Sequence, residues 1–159
     1  MRIKGIADED FVNYKVPSMF ISTAVCSFKC DKECGRPICQ NSALANEGSI
    51  DTDDDYLIMR YFKNGITKAI VFGGLEPFDQ WIELWRFIQK LRLQYGSRDP
   101  VVIYTGYNRE EIDGEIRFLM SVPNIIVKFG RYIPDQEPHM DEVLGVKLAS
   151  DNQYAVQIS

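Results

Sequence analysis

Apolar and polar positions follow two alternating rhythms along this chain. Ser18-Met-Phe-Ile-Ser-Thr-Ala-Val25, Thr67-Lys-Ala-Ile-Val-Phe72, Val101-Val-Ile-Tyr-Thr105 and Ile125-Ile-Val-Lys-Phe129 are short runs rich in apolar and β-branched residues, the signature of buried strands. Between them, apolar residues recur at threes and fours. Leu57, Ile58, Tyr61 and Phe62 predict a helix from about Asp53 to Lys63. Its start is marked by Asp51-Thr-Asp-Asp-Asp55, better read as a solvated cap than as a cation site, and its end by Asn64-Gly65. Trp81, Leu84, Trp85, Ile88 and Leu91 predict a longer helix opening at Asp79 and closing near Gly96, with both tryptophans in the core. Asn108 and Glu111 predict a capping box for a third helix through Met120, stopped by Pro123. Arg2 to Tyr14 reads as a short edge strand and a turn, and Ser42 to Ile50 as a helical turn. Val143 to Leu148 and Tyr154 to Ile158 read as short strands covering a sheet edge.

Strands alternating with helices predict an α/β fold of right-handed β-α-β units, built on a mostly parallel sheet or partial (β/α) barrel. Ligands in such folds gather at the carboxyl ends of the strands. That rule puts the loop after Val25, the pair Gly73-Gly74, Tyr104 to Tyr107 and Gly130 to Tyr132 on one rim. A length of 159 residues, 45% of them hydrophobic, suits one domain over 1–159. The net charge of -5, without a dense basic cluster, argues against nucleic acid as a partner. No apolar run approaches the ~18 residues of a membrane span, and the amino terminus lacks a signal-peptide core. The expectation is a cytoplasmic protein, in a compartment where clustered cysteines bind metal or do redox chemistry.

All four cysteines fall in Cys26-Ser-Phe-Lys-Cys30-Asp-Lys-Glu-Cys34-Gly-Arg-Pro-Ile-Cys39-Gln-Asn41. Thiolates suit iron-sulfur clusters and zinc alike. A structural zinc site would take all four in a closed tetrahedron, its ligand pairs on two separate knuckles. These thiols lie along one loop, which favours a cluster and leaves a non-catalytic zinc-binding interaction domain as the alternative. Gly73-Gly74 permits close backbone approach by a ligand, and Glu76 adds an acceptor. The sole histidine, His139, lies in a polar loop beside Pro138 and suits a surface or packing role.

Cys26-x-x-x-Cys30 with a further cysteine, followed by the strand end Gly73-Gly74-Leu-Glu76-Pro77, resembles the radical S-adenosylmethionine superfamily. The resemblance is strongest to the small proteins that activate anaerobic ribonucleoside-triphosphate reductase. Cys39-Gln-Asn41, Tyr104-Thr-Gly-Tyr107, Gly130-Arg-Tyr132 and Ser150-Asp-Asn-Gln153 are similar to short elements of those proteins, in the same order. There are departures. The usual loop is Cys-x3-Cys-x2-Cys, Leu75 is inserted, and Phe129 stands where an acidic residue is common. Ile38 and Asn41 match the family's neighbours of its third cysteine, so the resemblance assigns Cys26, Cys30 and Cys39 as the metal ligands and leaves Cys34 a bystander. It further implies a 4Fe-4S cluster and S-adenosyl-L-methionine as cofactors. Gly73, Gly74 and Glu76 would hold the methionine end, and Tyr104 and Thr105 the ribose or adenine side. The implied partners are a flavodoxin or ferredoxin as electron donor and a glycyl-radical enzyme, an anaerobic ribonucleotide reductase, as radical acceptor. No side chain is assigned as an acid or base. The rival within the class is a radical enzyme acting on a small molecule or peptide.

Overall fold

The computed structural model describes residues 1–159. The chain runs through β1 (Arg2–Asp10), β2 (Ser18–Thr23), α1 (Lys29–Cys34), α2 (Ser42–Asn46), β3 (Ile50–Asp51) and α3 (Asp54–Lys63). It continues with β4 (Ala69–Gly74), α4 (Trp81–Leu93), β5 (Val101–Tyr104), α5 (Asp113–Leu119), β6 (Ile125–Phe129), β7 (His139–Asp141), β8 (Val146–Leu148) and β9 (Tyr154–Gln157). Short 3₁₀ turns at Pro77–Gln80 and Arg109–Ile112 lead into α4 and α5.

One seven-stranded sheet has the order β3-β1-β2-β4-β5-β6-β9. Strands β2, β4, β5 and β6 are parallel neighbours, as their unbroken apolar runs predicted. β1 pairs antiparallel with β2 and β3, and β9 antiparallel with β6, so the sheet is mostly parallel with reversed strands near its two sides. The sheet is open, with β3 and β9 at its ends, and no barrel closes. β7 and β8 form a separate hairpin.

The sheet separates two apolar clusters. On one face, β-strand side chains pack against α3, α4 and α5 through Leu57, Ile58, Phe72, Leu84, Phe87, Ile88, Leu91 and Ile116, with Phe72 and Phe87 edge to face at 5.2 Å. On the other, Val71, Val102 and Ile126 meet Tyr14, Leu144 and Leu148 from the β1–β2 loop and the hairpin. Strand alternation explains the division, since Val71 and Phe72 point to opposite faces.

Several expectations change in detail. β1 is nine residues long and lies second from the edge, because β3 pairs with Arg2 and Ile3. Asp53 caps α3 by accepting from the Asp55 amide, and Phe62 is 44% exposed while Leu57, Ile58 and Tyr61 are buried. Gly65 does not take a left-handed conformation; Asn64 closes the helix, with its side chain accepting from the Ile66 amide. Trp81 and Trp85 are not core. They lie half-buried at the flank of α4 that meets α5, stacked on one another at 5.7 Å, tilted against Phe118 at 6.3 and 6.0 Å and packed against the edge of the core. The capping box of Asn108 and Glu111 is present, but its first turn is 3₁₀ and α5 begins at Asp113. His139 is half-buried in β7.

Candidate metal centre

The rim at the carboxyl ends of the parallel strands encloses a cavity of about 660 Å³. Cys26, Cys30 and Cys39 border it, together with Gly73, Gly74, Glu76, Tyr104 and Thr105. Cys34 does not, and is exposed.

Local structure explains how the long cysteine loop divides its thiols. Cys30 lies in α1, a short helix that Cys34 ends and Gly35 closes in a left-handed turn at φ 68°. The chain then doubles back. Asp31 Oδ1 accepts from the amides of Ile38 (2.8 Å) and Cys39 (2.9 Å), closing the spacer on itself and returning Cys39 to the cavity. The entry side is held by the 3₁₀ turn after β4. Asp79 accepts from the Ser27 amide, Gln80 from the Ala24 amide at 2.8 Å, and the Glu76 amide donates to Val25 O at 2.9 Å. The cysteine loop and the Gly-Gly strand end are therefore one hydrogen-bonded unit.

At the strand end, Gly74 has φ +82°, and a Cβ there would stand 3.0 Å from Leu44 Cδ2 and 3.1 Å from Ser22 Cβ. Both the backbone conformation and the space exclude a side chain. Asn41 Nδ2 donates to Gly74 O at 2.6 Å, tying the segment just after Cys39 to the glycine pair. Glu76 is buried. Its Oε1 accepts from Thr105 Oγ1 (2.7 Å) and the Phe78 amide (3.1 Å), and its Oε2 from the Gly106 amide (2.8 Å). A carboxylate offers about four acceptor positions, so one remains on Oε2. Thr105 thus serves Glu76, with its hydroxyl also accepting from the Tyr107 amide. The Tyr104 hydroxyl donates to Asn13 O, leaving its ring to line the cavity.

Burial dominates the electrostatics. It pushes the Cys26 thiol up to about 11, against a hydrogen bond from the Phe28 amide and reinforced by Glu76, Asp79 and Cys39. Cys30 is raised as well, first by burial and then by Cys39. Burial lifts Glu76 to about 7 despite its three hydrogen bonds. Burial thus disfavours the anionic form of each of these groups, a penalty that a bound cation offsets.

Lys128 escaped the sequence reading. It sits in the apolar run of β6, yet its ammonium reaches the cavity, donating to Gly130 O at 2.9 Å, and burial lowers it to about 8. A lysine inside a fully buried parallel strand was the available signal, because such a charge needs partners. Asp31 was equally invisible, since its role depends on the loop doubling back. Gln153 also lines the cavity, and its amide spans the Ala149–Ser150 turn and Gly130 O.

No three Cys, His, Asp or Glu side chains converge tightly enough to grip a single metal ion. A cluster is wider than one ion, and three thiols around a roomy cavity suit it by size and by ligand softness. Neither a curated protein nor a solved structure matches the chain. The model of one family, described as a 4Fe-4S single cluster domain, matches residues 17–154, a span that takes in the cysteine loop and all four parallel strands. A chain that carries three cavity-lining thiols within such a match is an iron-sulfur protein, and it belongs to the 4Fe-4S single cluster domain family.

Proposed function

We propose that this protein is a radical S-adenosylmethionine enzyme of the activating type. In this reading Cys26, Cys30 and Cys39 hold a 4Fe-4S cluster with one iron open. Gly73, Gly74, Glu76, Tyr104 and Thr105 form the pocket for S-adenosyl-L-methionine, and the product is a glycyl radical on a partner enzyme, an anaerobic ribonucleotide reductase. The supporting observation is that the same three cysteines, and not Cys34, share one cavity with the Gly-Gly-Leu-Glu element.

When bound, the cluster and its sulfonium cofactor would supply the radical chemistry, using an electron from a flavodoxin or ferredoxin and directing hydrogen-atom removal at a glycine of the partner. The chain binds, orients and shields. Gly74 brings its backbone to the cavity wall, with its carbonyl held by Asn41. Glu76, held by three donors, presents its remaining lone pair as a fixed acceptor for the amino group of the methionine end. Lys128 offers a cation on the same wall. The Thr105 hydroxyl acts through Glu76, so it positions that acceptor instead of meeting the sugar directly. Phe20, Leu44 and Leu148 give the cavity apolar wall that keeps water from a reactive intermediate.

The test is anaerobic purification and reconstitution followed by iron, sulfide and absorbance measurement. Addition of S-adenosylmethionine and dithionite should then yield 5′-deoxyadenosine. A colourless protein with one zinc and no sulfide would sink the reading. Mixing with a glycyl-radical reductase and recording the radical by electron paramagnetic resonance tests the partner.

A further inference from the structure

Beside the large cavity, with which it shares Cys26, Cys30, Glu76 and Gly106, lies a second void of about 20 Å³ that Tyr107 and Arg131 also border. It has room for one water-sized occupant. Gly106 is its keystone: a Cβ there would stand 3.5 Å from Cys30 Sγ, 3.5 Å from Glu76 Oε2 and 3.8 Å from Arg131 Cγ. The Cys30 sulfur and the Arg131 stem thus flank the space of one missing side chain.

The Arg131 side chain is 8% exposed, and one of its two outer nitrogens, Nη2, is committed to carboxylates. Nη2 donates to Glu111 Oε1 at 2.6 Å and lies 3.1 Å from Glu33 Oε1, strapping the rim to α1. Its Nε–H is different. That donor is buried and has no partner in the protein. A buried unpaired N–H on a cation costs about 1–3 kcal/mol or more, so an acceptor brought within its reach is favoured. Lys29 also borders the void, but its ammonium is paired with Glu111 and lies 4.3 Å over the Tyr107 ring.

We infer that Arg131 tunes the redox potential of the cluster, its free Nε–H donating to the thiolate sulfur of Cys30, directly or through one water in the void. Hydrogen bonds and positive charge at a ligand sulfur favour the more negative, reduced cluster and so raise its potential. Arg131 is a positioning and tuning residue here, with no contact to substrate. The inference rests on Cys30 being a cluster ligand.

Two measurements test it, both without S-adenosylmethionine. In wild-type protein grown on ¹⁵N-arginine, pulsed electron paramagnetic resonance of the dithionite-reduced cluster should show a coupled arginine nitrogen that vanishes in Arg131→Lys. In a potentiometric titration, Arg131→Lys should be about tenfold harder to reduce, ~59 mV for a one-electron couple. Glu111→Gln, which loosens the strap but leaves Nε in place and removes a negative charge, should shift the potential upward or not at all. Absence of an arginine nitrogen in the wild type overturns the inference even if the lysine variant fails to fold, as does an equal downward shift in both variants. A wild-type protein that holds no cluster overturns the ligand reading itself and this inference with it.

Discussion

The helical face of the sheet and the rim at its strand ends are built for opposite purposes. Against the helices, Phe72, Leu84, Phe87, Ile88 and Leu91 are wholly buried and close-packed. Toward the rim, the same strands end in glycines, a buried carboxylate, a buried lysine and a cavity of about 660 Å³. A packed face holds itself together; a hollow rim must be held open. Here the holding is done by hydrogen bonds: Asp31 to the Cys39 turn, Asp79 and Gln80 to the cysteine entry, Asn41 to Gly74. Polar residues on the rim therefore carry structure, while apolar residues carry it on the helical face.

The contrast is broken most completely at the thiols. Cys39→Ala should abolish iron and sulfide binding after anaerobic reconstitution, whereas Cys34→Ala should keep the wild-type content and still cleave S-adenosylmethionine. The reverse pattern would move the third ligand to Cys34. On the packed face, Phe87→Ala removes a fully buried ring in contact with Phe72 and should cost about 3–5 kcal/mol. A urea titration would show the lower midpoint, and the fraction that remains folded should still load iron.

The smallest effect concerns the strap. The Arg131 guanidinium, helped by the Asn108 amide and Lys29, holds the Glu111 carboxyl down to about 2 from an ordinary 4.5. A carboxyl depressed in the folded state stabilises above its unfolded value and loses that contribution as pH falls from about 4.5 toward about 2. Glu111→Gln should flatten that part of the stability profile, read as urea midpoint against pH, and leave the region above pH 5 with the same slope as the wild type. An unchanged acid limb would mean that Glu111 does not contribute.

The four parallel strands were legible because each is apolar on both faces and ends in glycine or a turn, and β4, β5 and β6 came out within two residues of expectation. The tryptophans were not. Spacing at threes and fours marks a stripe on α4, but it cannot tell how wide the buried part is, and Leu84, Phe87, Ile88 and Leu91 fill the sheet contact and leave Trp81 and Trp85 outside. At the site, the residue types could be read from the cysteine spacing and the glycine pair. The duties of Thr105, Asp31 and Lys128 could not, because each depends on a partner far away in the chain or on a loop that doubles back.

By itself, then, the order of residues determined which elements form, since local periodicity and capping act over a few positions. It also confined the metal chemistry to one short loop, because only there are thiols present. Tertiary structure decided which thiols border the cavity. Cys34 and Cys39 lie in the same loop, but a left-handed Gly35 and the Asp31 carboxylate turn one out to solvent and the other into the cavity. That choice is a matter of direction in space, and spacing along the chain carries no direction until the loop has closed on a sheet.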